Sequence, residues 1–228
     1  MDSNIEISDQ RLEEIKLKSL VNKILMLYVI EKANKIPPFL RGKIKFQKLF
    51  FLSELTVEQD RIQALTFGYF RYTLGPFSKS LLETFEDMEE HGLVKGGLSG
   101  NFELTKEGQY LFEVIESSGL YKANSDTIKI IDETIKKHGT KDGIALENMI
   151  YNIKIPFWNE STHSIIYKEI KDIKTYIDLL PFCFVNYKKK FCISQDLIDD
   201  LLYEFSLTSK DRESMKKISN KPFEELFA

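Results

Sequence analysis

Hydrophobic positions along the chain recur mainly at helical spacing, and Gly, Pro and capping residues separate one run from the next. Leu20, Ile24, Leu27 and Tyr28 share one face of a helix predicted over 18–33, and Pro37-Pro38 stops it from continuing. Phe46, Leu49, Phe50 and Leu52 predict a second helix over 43–55. Farther on, Ile128, Ile131 and Ile135 follow a potential cap at Ser125, in a helix ending near Gly139. Leu146, Met149 and Ile150 predict a short helix over 143–153 that Pro156 ends, and Leu197, Leu201 and Leu202 predict a last one over 195–205, capped by Ser194. Ile166, Ile170, Ile173 and Ile177 favour a helix within 161–179. Residues 182–193 are aromatic and β-prone, with Lys188-Lys189-Lys190 placed to turn a hairpin.

The stretch 67–104 has a different grammar. Phe67, Tyr69 and Arg71 alternate with Gly68, Phe70 and Tyr72, the period of a strand with two faces. Gly75-Pro76 ends the extended run, and Ser78 is positioned to cap a helix whose inward stripe is Leu81, Leu82, Phe85 and Met88. Gly92 suits the left-handed residue that closes such a helix. Leu93-Val94 and Phe102-Leu104 then flank a glycine-rich tip, predicting a short hairpin, and Thr105 caps a helix running to about Ser118. Strand, helix, hairpin and helix in this order predict a winged helix. The fold class expected is mainly α with a small β wing: a winged-helix-like domain over 1–120 and a helical extension over 121–228, with the seam near 119–125.

Composition narrows the class without naming a ligand. The 228 residues carry 32 Lys and Arg against 35 Asp and Glu, and residues 1–120 hold 15 against 18, so neither half is a basic module. No run of about 18 apolar residues exists to cross a membrane, and the acidic first residues do not read as a secretory signal. Cys183 and Cys192 fit neither a zinc pair nor a redox motif and are expected to be buried thiols of a cytoplasmic protein. His91, His138 and His163 lie at no metal-ligand spacing, and no glycine loop is followed by the Lys-Ser/Thr of a phosphate cradle. The carboxylate pairs Glu86-Asp87, Glu89-Glu90 and Asp199-Asp200 lack a partner base. No catalytic residue, metal or cofactor is expected, and Trp158 is expected to anchor a core.

Two charged surfaces are candidate binding sites. Arg41, Lys43, Lys45 and Lys48 cluster at the start of the second helix, and Arg71 and Lys79 approach if the Gly-Pro turn reverses the chain. With Tyr69, Phe70 and Tyr72 interleaved, this patch would hold phosphates and stack on bases. The competing reading is a set of lysine stems lying over an aromatic core. Glu83, Glu86, Asp87 and Glu90 oppose Lys79 on the helix in the recognition position, which argues against docking that helix in the groove of anionic duplex DNA. They form either a solvated face or a surface for a basic protein partner.

The sequence KIKFQKLFFLSEL, followed by FGYFRYTLGPFSKSLLETFEDMEEHGLV, resembles the pattern shared by YwgA-type proteins and, more distantly, the Panacea-type antitoxin domain. The matching residues are Lys45, Gln47, Lys48 and Leu49, then Phe70, Tyr72, Gly75, Pro76, Phe77 and Ser78, then Gly92-Leu93. Leu146, Tyr151 and Pro156 match the helix-tyrosine-proline run of the YwgA group. The resemblance covers about 18–160 and leaves the residues from Pro181 onward unmatched. It implies a winged-helix core and a role in regulation or toxin neutralisation. The expected function is DNA-binding transcriptional control, with a protein-interaction module, an antitoxin or defence-system subunit, as the alternative. Expected partners are DNA, a protein or a second copy of the chain.

Overall fold

The second helix of the chain is buried on all its faces, and the other elements are arranged around it. The computed structural model describes residues 9–97, 100–159, 161–179, 186–208 and 210–214. Helix α1 spans Asp9–Ala33 and α2 Lys43–Gln59. Strands β1 (Ile62–Gln63), β2 (Tyr69–Tyr72) and β3 (Gly75–Phe77) lead into α3 (Lys79–Glu90). Strands β4 (Val94–Lys95) and β5 (Glu103–Leu104) precede α4 (Lys106–Ser117), α5 (Leu120–Ala123), α6 (Ser125–His138) and α7 (Gly143–Tyr151). A hairpin of β6 (Lys154–Asn159) and β7 (Ser164–Glu169) follows, then β8 (Asp178–Leu179), β9 (Lys189–Lys190) and α8 (Gln195–Ser206). The protein is thus mainly helical with several small sheets.

The local reasons are those of the sequence over most of 67–118. The Ser78 side chain accepts from the Leu81 N–H at 3.1 Å, opening α3, and Leu81, Phe85 and Met88 are buried. Gly92 closes α3 at φ +70°. Val94 pairs antiparallel with Leu104 and Lys95 with Glu103, as the glycine-rich tip predicts. Thr105 Oγ1 accepts from the Gly108 N–H at 3.0 Å and starts α4. At Gly108 a Cβ would lie 1.9 Å from the Leu93 carbonyl oxygen, so only glycine lets α4 lie this close to the hairpin.

Elsewhere the chain departs from its pattern. Strand β3, not a bare turn, occupies Gly75–Phe77 and pairs back on β2, so the reversal sits at Thr73-Leu74. Residues 161–179 form β7, one 3-10 turn (Ile170–Asp172) and β8 in place of the expected helix; the isoleucine spacing there is shared by a strand and the turn after it. Pro156 lies inside β6, a strand on a sheet edge where a missing N–H is tolerated. Lys189–Lys190 pairs parallel with Ile62–Gln63 instead of turning a hairpin, and the remainder of that expected hairpin falls partly outside the described residues. Residue Asn124, not Ser125, holds the N-cap position of α6. Ser194 makes no side-chain cap bond, and Leu202 is exposed.

The three-stranded sheet has the order β3-β2-β8, all antiparallel. Helix α2 packs against α6, α7, β1 and β3, and α1 packs against α3, α4, α6 and β5. One hydrophobic cluster includes Phe46 and Phe50 of α2, Phe85 of α3, Ile131 of α6 and Ile150 of α7. Residues at the expected seam take part in it: Tyr121 is buried, its ring centroid 4.8 Å from that of Tyr28.

Phe85 lies with its ring 5.4 Å from Phe46 and 4.9 Å from Phe102, joining α2, α3 and the β4–β5 hairpin. Chemical denaturation should find Phe85→Ala destabilised by about 3–5 kcal/mol. The exposed neighbour Glu86→Ala should stay within about 0.5 kcal/mol of wild type.

Candidate functional site

The expected basic patch is divided by the fold. Lys45 and Lys48 are 2% and 3% exposed, so neither reaches a phosphate at the surface. An ammonium group has three protons to donate, and that of Lys45 reaches three carbonyls: Pro38, Phe39 at 3.1 Å and Gly139 at 2.6 Å. Gly139 is the C-cap of α6, the end of a helix that favours a cation. Lys48 Nζ donates to the Pro76 carbonyl at 2.7 Å. Between them, Gln47 Nε2 donates to the Ser78 carbonyl at 2.9 Å while its Oε1 accepts from the Ser78 N–H at 2.8 Å. Gln47 and Lys48 therefore grip the backbone of 76–78, while Lys45 ties α2 to the turn after α1 and the end of α6. Burial lowers the pKa of Lys45, and it lowers that of Lys48 to about 8, against the opposing pull of Glu147.

The other four cations are dispersed. Arg41 is exposed, and Lys43 lies with its Nζ 5.5 Å from the Phe77 ring centroid. Lys79 is exposed and ion-paired with Glu83 at 2.7 Å. The Arg71 guanidinium stacks 4.8 Å over Tyr151, and its Nε donates to the Ile170 carbonyl at 3.3 Å. Lys45, Lys48, Arg71 and Lys79 consequently do not form one surface.

An aromatic face takes the place of that patch. Alternation along β2 turns Tyr69 and Arg71 toward one side of the sheet and Phe70 and Tyr72 toward the other. Phe77 stands directly across from Phe70. Ring centroids of Phe70 lie 5.4 Å from Phe77, 6.0 Å from Tyr72 and 6.2 Å from Tyr176. Tyr72 and Tyr176 are 40% and 71% exposed. Tyr176 adopts φ +65°, a strained conformation for a tyrosine, and its N–H donates to the Arg71 carbonyl at 2.6 Å. That backbone bond fixes Tyr176 against β2, with the ring beside Phe70 and Tyr72. Nothing in the sequence singled out Tyr176, because its isoleucine neighbours read as helical. Phe70 and Tyr72 were legible from alternation, whereas Tyr69 is buried, 5.1 Å from Phe51.

On α3, Glu83, Glu86 and Glu90 are exposed as expected. Asp87 is not: it faces α1, where Lys23 pairs with it at 2.7 Å. Trp158 is 43% exposed on the β6–β7 hairpin, not in a core, and Cys192 is exposed, while Cys183 lies outside the described residues. Among the described residues no group of three His, Cys, Asp or Glu side chains is arranged to hold a metal ion, and no helix is long and apolar enough to cross a membrane.

Two carboxylates of α2 are buried on the opposite side from its lysines. Glu54 accepts from the Phe67 N–H at 3.1 Å, and burial pushes its pKa up to about 8. Glu58 accepts from the Tyr187 hydroxyl at 2.9 Å, and burial raises its pKa to about 7 despite that bond. An acidic residue inside an apolar helical run, FFLSELTVE, is the sequence signal for both.

No protein-family profile, no curated protein and no solved structure matches the chain.

Gln47→Ala should cost about 1–3 kcal/mol in chemical denaturation, because it strands a buried N–H and carbonyl of Ser78. Glu54 binds its proton more readily in the folded than in the unfolded chain, where its ordinary value is 4.5. The resulting stabilisation is complete below that value and is lost as pH rises toward about 8. Stability measured across this interval should fall less steeply with pH in Glu54→Gln than in wild type.

Proposed function

We propose that this chain is a regulatory binding module that engages a protein partner through the aromatic face of the β3-β2-β8 sheet. The observation that carries this reading is the set of Phe70, Tyr72, Phe77 and Tyr176, with both tyrosines exposed and Tyr176 held in a strained backbone conformation. Tyrosine rings are rigid, amphipathic and enriched among the residues that dominate binding energy at protein interfaces. Lys43 over the Phe77 ring adds one cation, and Asp178, across from Phe70, adds one acid, so charge of both signs accompanies the face. The exposed carboxylates Glu83, Glu86 and Glu90 on α3 would steer a basic partner toward the molecule. The family resemblance suggests neutralisation of a toxin or service as a defence-system subunit as the setting for such a partner.

A second reading, duplex-DNA control by a winged helix, draws on the order of α3, the β4–β5 hairpin and α4. Arg41 bridges to Asn101 and so sits beside that hairpin. This reading loses the two buried lysines, and Lys79 is ion-paired with Glu83. Phosphate contacts would make binding fall steeply with added salt.

Capture of partners from native cells, wild type against Tyr72→Ser/Tyr176→Ser, tests the first reading. The double variant should lose a specific partner by at least about tenfold with an unchanged Tm, since an interface anchor is worth about 1.4 kcal/mol or more. Recovery of the same proteins by both forms removes the face from the interface. Fluorescence anisotropy with duplex DNA at about 50 and 200 mM salt tests the second: tight, salt-steep binding weakened by Arg41→Ala would replace the first reading.

A further inference from the structure

The β6–β7 hairpin pairs with no other strand among the described residues. Two strands alone are marginal, and an unpaired edge is a template for another strand. The register settles which edge is open. Ile170 donates its N–H to the Ile153 carbonyl at 3.0 Å, and the same register sets Lys154 opposite Glu169, Pro156 opposite Tyr167 and Trp158 opposite Ile165. Antiparallel pairs alternate between bonded and non-bonded, so these three pairs are of the non-bonded kind and their backbone groups point outward. On β6 the middle outward position is Pro156, which has no N–H and blocks that edge. On β7 the outward positions are Ile165, Tyr167 and Glu169, whose outward backbone groups make no hydrogen bond among the described residues and can receive a new strand.

The same pairs place Pro156, Trp158, Ile165 and Tyr167 on one face of the hairpin, where Ile165 is 44% and Tyr167 69% exposed. We propose that the β7 edge is the interface of a homodimer, in which β7 pairs antiparallel with β7 of a second copy about a two-fold axis at Tyr167. That centre brings all three outward positions of β7 into the new ladder, because Tyr167 then faces its own equivalent and Ile165 faces Glu169. Charge fits the arrangement. Lys168 and Glu169 each face an isoleucine of the other copy, and Glu169 is already ion-paired with Lys171 at 2.7 Å, so no like charges meet across the axis. The two apolar faces join into one strip across a four-stranded sheet. This interface is separate from the aromatic face of β3-β2-β8.

Sedimentation equilibrium of the full chain provides the test. Wild type should be dimeric, and Tyr167→Pro should be monomeric with an unchanged far-UV spectrum, because the outward N–H it removes is not used within the hairpin. Tyr167→Lys and Tyr167→Glu should each be monomeric, since each places two like charges across the axis, and an equimolar mixture of the two should restore the dimer. A wild type that stays monomeric at every concentration overturns the proposal, and so does a dimer that all three variants leave intact. Failure of the folded Lys and Glu variants to pair with one another overturns the two-fold centre at Tyr167.

Discussion

Lys45, Gln47 and Lys48 stand buried on α2, and an unsatisfied polar group there costs several kcal/mol. Each is satisfied only when a particular loop is in place. Lys45 needs the turn after α1 and the end of α6, while Gln47 and Lys48 need the backbone of 76–78. No one of these segments can settle without α2, and α2 cannot be buried without all of them. A purely apolar α2 would fill the same space with less selectivity about which loops close over it. The polar side chains thus set the arrangement as well as the packing, at a cost in desolvation visible in the lowered pKa of both lysines.

The sheet inherits its shape from this anchorage. Gly75 sits over the Lys48 stem, where a Cβ would come within 3.4 Å of Cε, so β3 lies flat on α2. With its inner side held by Gln47, Lys48, Tyr69 and Arg71, the sheet has only its outer side to offer. There Phe70, Tyr72 and Phe77 are presented at fixed spacing and Tyr176 is pinned beside them by the Arg71 carbonyl. A rigid platform of this kind loses little entropy on binding.

Local chemistry made much of this legible in the sequence. Ser78, Gly92 and Thr105 act within a few residues of themselves, and their caps and turn came out as expected. Alternation at 67–72 correctly divided the two faces of β2. The candidate site was less legible, because a lysine on a helix reads as solvated unless its burial is known, and burial depends on α6 and β3, which are distant in sequence. The strand β7 was lost for a similar reason: Ile166, Ile170 and Ile173 have helical spacing but belong to a strand and the turn behind it. Tyr176 had no local signal, since the bond that places it comes from Arg71, about a hundred residues earlier.

The amide of Asn124 both donates to the Cys192 carbonyl and accepts from its N–H, each at 2.8 Å across 68 residues, and the Tyr187–Glu58 bond spans 129. During synthesis the helices that hold Asn124 and Glu58 leave the ribosome well before these partners exist. For that interval the β1 edge and the Glu58 carboxylate face solvent or whatever chaperone meets them, and the segment that covers them arrives late. The nascent chain therefore carries a temporary opening in its flank that the finished protein has closed.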